Sequence, residues 1–447
     1  MNYIKFCDFL YKKGGNKLNI KIKESELIKN SKGEYFNFYI DEKNNLLFNK
    51  FDNKNNNIIS LSEIEHNILD FSVIIDEKDK IQLIYLIENG NLIHCTYTQK
   101  KWIKQSIFRL NTKSNIYKHI TLFMSNNSVN IFYACANLVN INLWSIEQIT
   151  KNSSNWTKKT VTSIFSKKIL APFYIDSDNL GNIHLVFRTN ERNSTHIYYT
   201  FYNVFIKKWS QIIEKISLTK TNNKFPYLFI DSKNNIHILW SSLEDKDYIL
   251  RYKKLSPGGQ SKFKWKKINL PVINNCTYTP IMSEINETLK ITYLKDDEIG
   301  CLNSMDYGET WILIDKIKLN SPSIWFLKYS SNSKKKYLNN KTNNFYAQIS
   351  DKMYLFFNEK DQKKINFDKE EIINLNNKDI QIEEKDELIS IHNSDFMELK
   401  KNILEIKETI EQIIAHSNII EEELKLMKEK LMSTEDQKHK KGFFKFK

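Results

Sequence analysis

Apolar and polar positions alternate over short segments through most of this chain, and the alternation itself recurs. The clearest copy is Phe229-Ile230-Asp231-Ser232-Lys233-Asn234-Asn235-Ile236-His237-Ile238-Leu239-Trp240, an apolar run that breaks into a polar turn and resumes. A second copy is Tyr174-Ile175-Asp176-Ser177-Asp178-Asn179-Leu180-Gly181-Asn182-Ile183-His184-Leu185, and weaker ones occur at Ile75-Asp76, Ile40-Asp41, Ser125-Asn126 and Ser283-Glu284. Trp102, Trp156, Trp209, Trp265 and Trp311 keep step with them, one after each set of short segments. A fixed period of about 40 to 50 residues, rich in strand formers and turn residues, is the signature of propeller blades.

Each unit reads as four strands. For the unit around Trp209 the pattern predicts strands at Pro172 to Ile175, Ile183 to Phe187, His196 to Tyr202 and Trp209 to Ile216. In the next unit Ile236, Ile238 and Trp240 alternate with His237 and Leu239, so both faces are largely apolar, as sheets stacked face to face require. Turns near 41, 76, 125, 176, 231, 283 and 330 suggest seven blades over residues 18–357. The count is six if the first unit, Tyr35 to Ile64, is absorbed into the closing one. The last unit offers only three segments, Ile324 to Tyr329, Asn344 to Ile349 and Met353 to Phe357, and Leu18 to Lys23 is expected to supply its missing strand. Such closure removes exposed sheet edges.

One unit carries a motif. Ser304-Met305-Asp306-Tyr307-Gly308-Glu309-Thr310-Trp311 resembles the Asp-box, or BNR repeat, of the sialidase-like propellers, in the form S-x-D-x-G-x-T-W. The resemblance implies a turn between the third and fourth strands of a blade. In it Ser304 and Asp306 bond backbone groups, Gly308 and Thr310 complete the box, and Trp311 packs between blades. The other tryptophans resemble eroded boxes. The family's enzymes grip a substrate carboxylate with three arginines and use a tyrosine nucleophile with a glutamate beside it and an aspartate acid/base. This chain has four arginines, Arg109, Arg188, Arg192 and Arg251, and none in its first 108 residues. Lysine is a poor substitute for the bidentate guanidinium fork, so the resemblance extends to the scaffold and not to the catalytic set.

Other chemistries find no motif: there is no Gly-rich phosphate loop, nucleophile elbow or His-Glu-x-x-His. No catalytic residue, cofactor or metal is expected. His184 and His237 hold equivalent places in neighbouring units and are read as packing positions. Cys7, Cys95, Cys135, Cys276 and Cys301 are odd in number and lack pair spacing, and those at 95, 135 and 301 sit in apolar strand contexts. They read as buried thiols in a reducing compartment.

Charge adds a polarity. The formal net charge is +14, with lysine in runs throughout. The loops joining second to third strands, which line the usual binding face of a propeller, carry Glu191, Glu244, Asp245, Asp247, Asp296 and Asp297, with Arg192 among them. These are the candidate ligand-binding residues, suited to a hydroxyl-rich glycan or to a protein. The opposite turns carry Lys78, Lys80, Lys100, Lys101, Lys207, Lys208, Lys233, Lys262 and Lys264, suited to an anionic surface. The lysines are diffuse and no arginine-aromatic stripe occurs, which argues against nucleic acid.

Beyond the strands, 358–390 reads as a charged linker. From Asp395 a heptad pattern with spacings of three and four runs through Phe396, Leu399, Ile403, Ile406, Ile410, Ile413, Ser417, Ile420, Leu424, Met427 and Leu431, apolar except for Ser417. This predicts a coiled-coil helix over 391–435 and a homo-oligomer, trimer or tetramer, although a helix folded back on the propeller meets the same pattern. The tail 436–447 mixes lysine with Phe443, Phe444 and Phe446, a composition suited to weak membrane contact. The opening segment, 1–17, interrupts its apolar residues with charge and is no secretory signal, which points to the cytoplasm or to a surface layer reached without one. The leading functional expectation is a non-catalytic binding protein, whose propeller recognises a glycan or protein and whose helix multimerises it. A divergent sialidase-like glycan-processing enzyme and an assembly component acting through the helix are the alternatives.

Overall fold

A computed structural model describes residues 20–356, apart from 53–55, 99–100, 126–127, 153–154, 167–171, 218–220, 259–262, 320, 322 and 333–339. The segments 1–17, 358–390, 391–435 and 436–447, with the expected coiled coil and basic-aromatic tail, lie outside the described residues. Contacts divide the chain into Met1–Ile365 and Asn366–Lys447, and every described residue belongs to the first unit.

The described chain is built of strands. Sheet I begins with β1 (Lys21–Lys29), β2 (Tyr35–Ile40), β3 (Leu46–Phe51) and β4 (Ile58–Glu65), an antiparallel meander. Sheet II is β5 (Ile68–Ile75), β6 (Ile81–Ile87), β7 (Asn91–Thr98) and β8 (Lys101–Arg109); sheet III is β9 (Asn115–Ser125), β10 (Ser128–Asn137), β11 (Leu143–Asn152) and β12 (Asn155–Phe165). Sheet IV is β13 (Phe173–Ser177), β14 (Ile183–Glu191) and β15 (Ser194–Asn203), with its outer strand split into β16 (Lys208–Trp209) and β17 (Glu214–Lys215). Sheet V is β18 (Asn223–Ile230), β19 (Ile236–Glu244), β20 (Asp247–Leu255) and β21 (Trp265–Lys267). Sheet VI is β22 (Ile281–Ile285), β23 (Thr288–Lys295), β24 (Glu298–Ser304) and β25 (Ile312–Lys318). The chain then returns. β26 (Ser323–Ser331) runs parallel to β1 from Lys21↔Ser323 to Lys29↔Ser331, β27 (Lys341–Thr342) pairs with β22, and β28 (Asn344–Ile349) and β29 (Met353–Leu355) extend β26.

The described residues therefore form six sheets, the first a seven-stranded one in the order β29-β28-β26-β1-β2-β3-β4. Seven separate blades are corrected to six sheets because the opening and closing units share hydrogen bonds. The N-terminal strand does pair with the last unit, parallel to β26. A second correction concerns Asp41, whose turn joins β2 to β3 and so sits at the opposite end of the strands from the Asp76 and Asp231 turns.

Alternation explains the stacking. In β6, Leu83 and Tyr85 join a core shared with sheet I, while Ile84 and Leu86 join one shared with sheet III. In β10, Ile131 and Tyr133 face sheet II, and Phe132 and Ala134 face sheet IV. In β19, Ile236, Ile238 and Trp240 face sheet IV and Leu239 faces sheet VI. The last core joins sheets V and VI to Ile22, Ile324, Phe326 and Tyr346 of sheet I, which closes the cycle. A side-chain period of two thus makes each sheet apolar on both faces, and the five cores that join sheet to sheet, with a sixth inside sheet I, make a propeller-like ring.

The periodic tryptophans join consecutive sheets. Trp102 meets Phe38 and Phe48 of sheet I, Trp156 meets His94 of sheet II and Trp209 meets Phe132 of sheet III. Trp265 and Trp311 continue the series against Tyr199 and Tyr252, each near edge-on, a favoured aromatic geometry. Turns recur as faithfully: Asp41, Asp76, Asp178 and Asp231 each accept from the backbone N–H groups two and four residues ahead. The residue three ahead has positive φ in every case, namely Asn44, Asp79, Gly181 and Asn234, the residue types that tolerate it. The turn carboxylate in sheet IV is Asp178, so Asp176 is not the counterpart of Asp231.

Candidate functional site

Successive strands are antiparallel, so turns alternate between two ends. One end gathers the turns leaving inner strands: the backbone of Asn179 donates to Asn234 Oδ1, and that of Ser232 to Glu284 Oε2. The other end gathers the hairpins between second and third strands, where Glu88 N–H donates to Asn67 and Ile68 N–H to Asn44.

Between the ends the inner strands stand side by side, and their facing N–H groups need acceptors. Side chains from neighbouring inner strands supply them. Glu26 accepts from Val73 N–H at 2.5 Å, Asp70 from Ile120 N–H at 3.0 Å, and Ser72 from Leu122 N–H at 2.9 Å. Asp176 accepts from Ile230 N–H at 2.8 Å and Ser330 from Ile75 N–H at 3.1 Å. Asp70, Asp176 and Glu284 are buried, so their charge needs compensation. The closing segment brings two lysines: Lys341 Nζ lies 2.8 Å from both Asp176 oxygens, and Lys328 Nζ donates to Ser72 at 2.6 Å and lies 3.6 Å from Glu26. Glu26, Asp70, Lys328 and Ser330, with His119, line a central cavity of about 330 Å³. His119 donates to the Phe173 carbonyl at 2.9 Å and rests edge-on against the Phe173 ring. Glu26, Asp70, Ser330 and Lys328 thus help to hold the inner strands together.

A second concavity of about 430 Å³ adjoins it at the hairpin end, and Glu24 and Phe71 line both. Here the start of β26 lies beside β1 and the end of β2, which brings Trp325 against Tyr39, centroids 6.2 Å apart at 73°. Lys23 Nζ sits 5.3 Å from the Trp325 centroid, a cation–π contact. Asn37, Asn49, Asp41 and Glu42 are among its polar lining. Burial raises the Tyr39 hydroxyl above its ordinary pKa, against a hydrogen bond from Asn49. Both rings are half-buried. A cleft of this size, with aromatic surface and a few fixed polar groups, suits a small ligand or a ligand's terminal units.

The residues singled out by sequence lie elsewhere at the same end. Arg192, Asp245 and Asp296 begin two-residue hairpin loops on sheets IV, V and VI, each with positive φ, as such loops require. Glu191 accepts from Lys215 at 2.6 Å, Glu244 from Arg251 Nε at 2.9 Å, and Asp296 from Asn275 at 3.5 Å. Asp247 pairs with Glu244 across its hairpin, and the Asp297 carbonyl accepts from Leu319 N–H. The four arginines fall on three sheets: Arg109 in β8, Arg188 and Arg192 in sheet IV, Arg251 in β20. Burial lowers the Arg188 guanidinium to about 10.

The Ser304 to Trp311 turn joins β24 to β25. Asp306 Oδ1 accepts from Ser304 Oγ, Glu309 N–H and Thr310 N–H, and its Oδ2 from Thr310 Oγ1 at 2.6 Å. Those donors hold its carboxyl down at about 2 against the desolvation that opposes them. Trp311 Nε1 donates to Gly308 O at 3.2 Å. His184 and His237 are each held between a turn aspartate and a tyrosine: His237 by Asp231 at 3.0 Å and Tyr252 at 2.6 Å, His184 by Asp178 at 3.3 Å and Tyr199 at 2.6 Å. These contacts give both histidines a packing role. Among the described residues no three His, Cys, Asp or Glu side chains are grouped to hold a metal.

Sequence reasoning missed the inner-strand carboxylates and the Trp325 groove. The available signals were acidic or hydroxyl residues one repeat apart on inner strands, and a tryptophan out of step with the other five.

No family model matches the chain, and no curated protein matches it. Solved structures similar to it include a polysaccharide lyase of family PL25, an ulvan lyase, at 14% identity and TM-score 0.47, covering 72% of this chain and 89% of that one. The SapL1 lectin in complex with α-methyl fucoside is 9% identical at TM-score 0.38, covering 66% and 96%. The Aleuria aurantia lectin is 10% identical at TM-score 0.40, covering 67% and 97%.

Proposed function

We propose that the ring is a non-catalytic recognition module that binds a glycan in the groove between β1, β2 and β26. The observation that carries this is the Trp325–Tyr39 pair, half-buried in a concavity of about 430 Å³ and flanked by Asn37, Asn49, Asp41 and Glu42. A sugar ring has an apolar C–H face and a hydroxyl rim. Aromatic rings cover the face, and amide and carboxylate groups answer the hydroxyls. The hairpin residues Glu191, Arg192, Glu244, Asp245, Asp247, Asp296 and Asp297 share that end of the ring and would meet the outlying units of a longer chain. The heptad pattern of 391–435 supports a multivalent protein, which raises avidity without new contacts.

The test is a glycan array probed with the full chain and with Trp325→Ala. A set of glycans bound by the parent and lost by the variant, with the variant still folded at the assay temperature, is the expected result. Cleavage of a bound glycan, or equal binding by the variant, contradicts the reading.

A further inference from the structure

The end of the ring opposite the groove carries an unusual set of turn tips. Turns that leave a third strand are ordinarily polar, yet on three consecutive sheets they present large apolar residues to solvent. Phe205 and Ile206 of sheet IV are 73% and 65% exposed, Phe263 of sheet V 65%, and Met305 of sheet VI 81%. Leu180, in the β13–β14 turn at the same end, is 58% exposed. These turns are neighbours. Asn182 Oδ1 accepts from Val204 N–H, linking the two turns of sheet IV, and Asn179 bonds Asn234 and Ser232 of sheet V. Lys233 lies 5.6 Å from the Tyr307 ring centroid in sheet VI.

The same turns carry exposed lysines. Lys207 and Lys208 follow Phe205-Ile206, Lys264 follows Phe263, and Lys233 occupies the β18–β19 turn. Acidic groups here are largely engaged: Glu309 accepts from Lys254 and Lys266, Asp306 from its own turn, and Asp178 and Asp231 from theirs. Glu287 stands in the β22–β23 turn.

Apolar tips that project past a collar of lysines match an anionic bilayer: the tips enter the boundary between headgroups and acyl chains while the ammonium groups meet phosphate and carboxylate headgroups. We infer that this end of the ring docks on an anionic lipid surface through Phe205, Ile206, Phe263 and Met305, with Lys207, Lys208, Lys233 and Lys264 supplying the charge contacts. Charge complementarity selects that occupant over neutral lipid, and the exposure of single side chains on separate turns suits a bilayer surface better than a groove-bound peptide. The Trp325 groove, at the other end of the strands, then faces away from the membrane.

Sedimentation of the full chain with phosphatidylcholine vesicles, with and without about 30% phosphatidylserine, tests this. Binding is expected on the anionic vesicles and to fall steeply between roughly 0.05 and 0.5 M salt. Phe205→Ser with Ile206→Ser should lower the partition coefficient about tenfold or more, and Lys207→Glu with Lys208→Glu by a comparable factor. Since all four residues are exposed, both variants should keep the parent melting temperature and glycan binding. Absence of binding to anionic vesicles overturns the inference and leaves the surface to a protein partner. Vesicle binding that neither variant changes overturns it as well, and assigns the contact to another part of the chain.

Discussion

Lys341 reaches across the ring from the closing segment, and its removal exposes how the inner strands are held. Its Nζ lies 2.8 Å from each Asp176 oxygen and 2.8 Å from the Ile230 carbonyl. The Asp176 side chain is 5% exposed and that of Lys341 33%. In Lys341→Met the carboxylate keeps the Ser177 and Ile230 N–H groups but loses its counter-charge, and the Ile230 carbonyl loses one donor. Breaking a fully buried pair costs about 3–5 kcal/mol, and the partial exposure of the lysine reduces this to about 2–3 kcal/mol. Adding Asp176→Asn removes the stranded charge and leaves an amide oxygen for Ile230 N–H, so the double variant should regain more than half of the loss. Urea unfolding followed by tryptophan fluorescence reads both, as a change in midpoint at constant slope. A single variant within about 0.5 kcal/mol of the parent, or a double variant no more stable than the single, would refute the reasoning.

Other consequences follow from backbone and protonation. An added Cβ at Gly308, where φ is +89°, would stand 2.3 Å from the Tyr252 hydroxyl, whereas at Gly33, with φ +83°, it meets nothing within 4 Å. Gly308→Ala should therefore cost about 2–3 kcal/mol and Gly33→Ala about 1 kcal/mol in thermal unfolding; equal effects would remove the steric part of the explanation. Burial depresses His94 from 6.5 to about 4 and lowers His237 as well. Stability they lend is complete above the unfolded value and is lost as pH falls through the folded one. Unfolding midpoints should be level between about pH 7 and 8 and decline from about 6.5 to 4. Below that they should decline more steeply, as the depressed carboxyls of Asp178, Asp231 and Asp306 take up protons. His94→Gln should flatten the first decline. Burial also pushes the thiols of Cys95, Cys276 and Cys301 up to about 11, so they should resist a thiol-disulfide reagent in the native protein and react after unfolding.

Much of the ring was legible because its stabilising contacts are local or periodic. Alternation in Ile236 to Trp240 and the polar turn before it foretell two strands and their two buried faces, and the tryptophan period foretells which residues join sheet to sheet. The box around Trp311 could be read because the hydrogen bonds of the Asp306 carboxylate and the Trp311 indole fall within eight consecutive residues. Closure was legible only in part, since the parallel pairing of β1 with β26 joins segments some 300 residues apart and no turn signal marks it. The turn equivalence failed at Asp176 because two aspartates stand two residues apart and either satisfies the pattern; only the hydrogen bonds of Asp178 distinguish them. The Asp176–Lys341 contact spans 165 positions, beyond any periodicity. The groove was hidden for the same reason: Tyr39 and Trp325 come from opposite ends of the chain, while the charged hairpins that drew attention owe much of their composition to loops that need positive φ.

Titration calorimetry of a glycan selected on the array, against the full chain and against Trp325→Ala, tests the central claim most directly. The account predicts saturable binding by the parent and a loss of about tenfold in affinity in the variant, the scale of one aromatic contact of 1–2 kcal/mol, with both proteins folded at the assay temperature. Equal affinities in two folded proteins would place the ligand elsewhere and contradict the assignment of the groove.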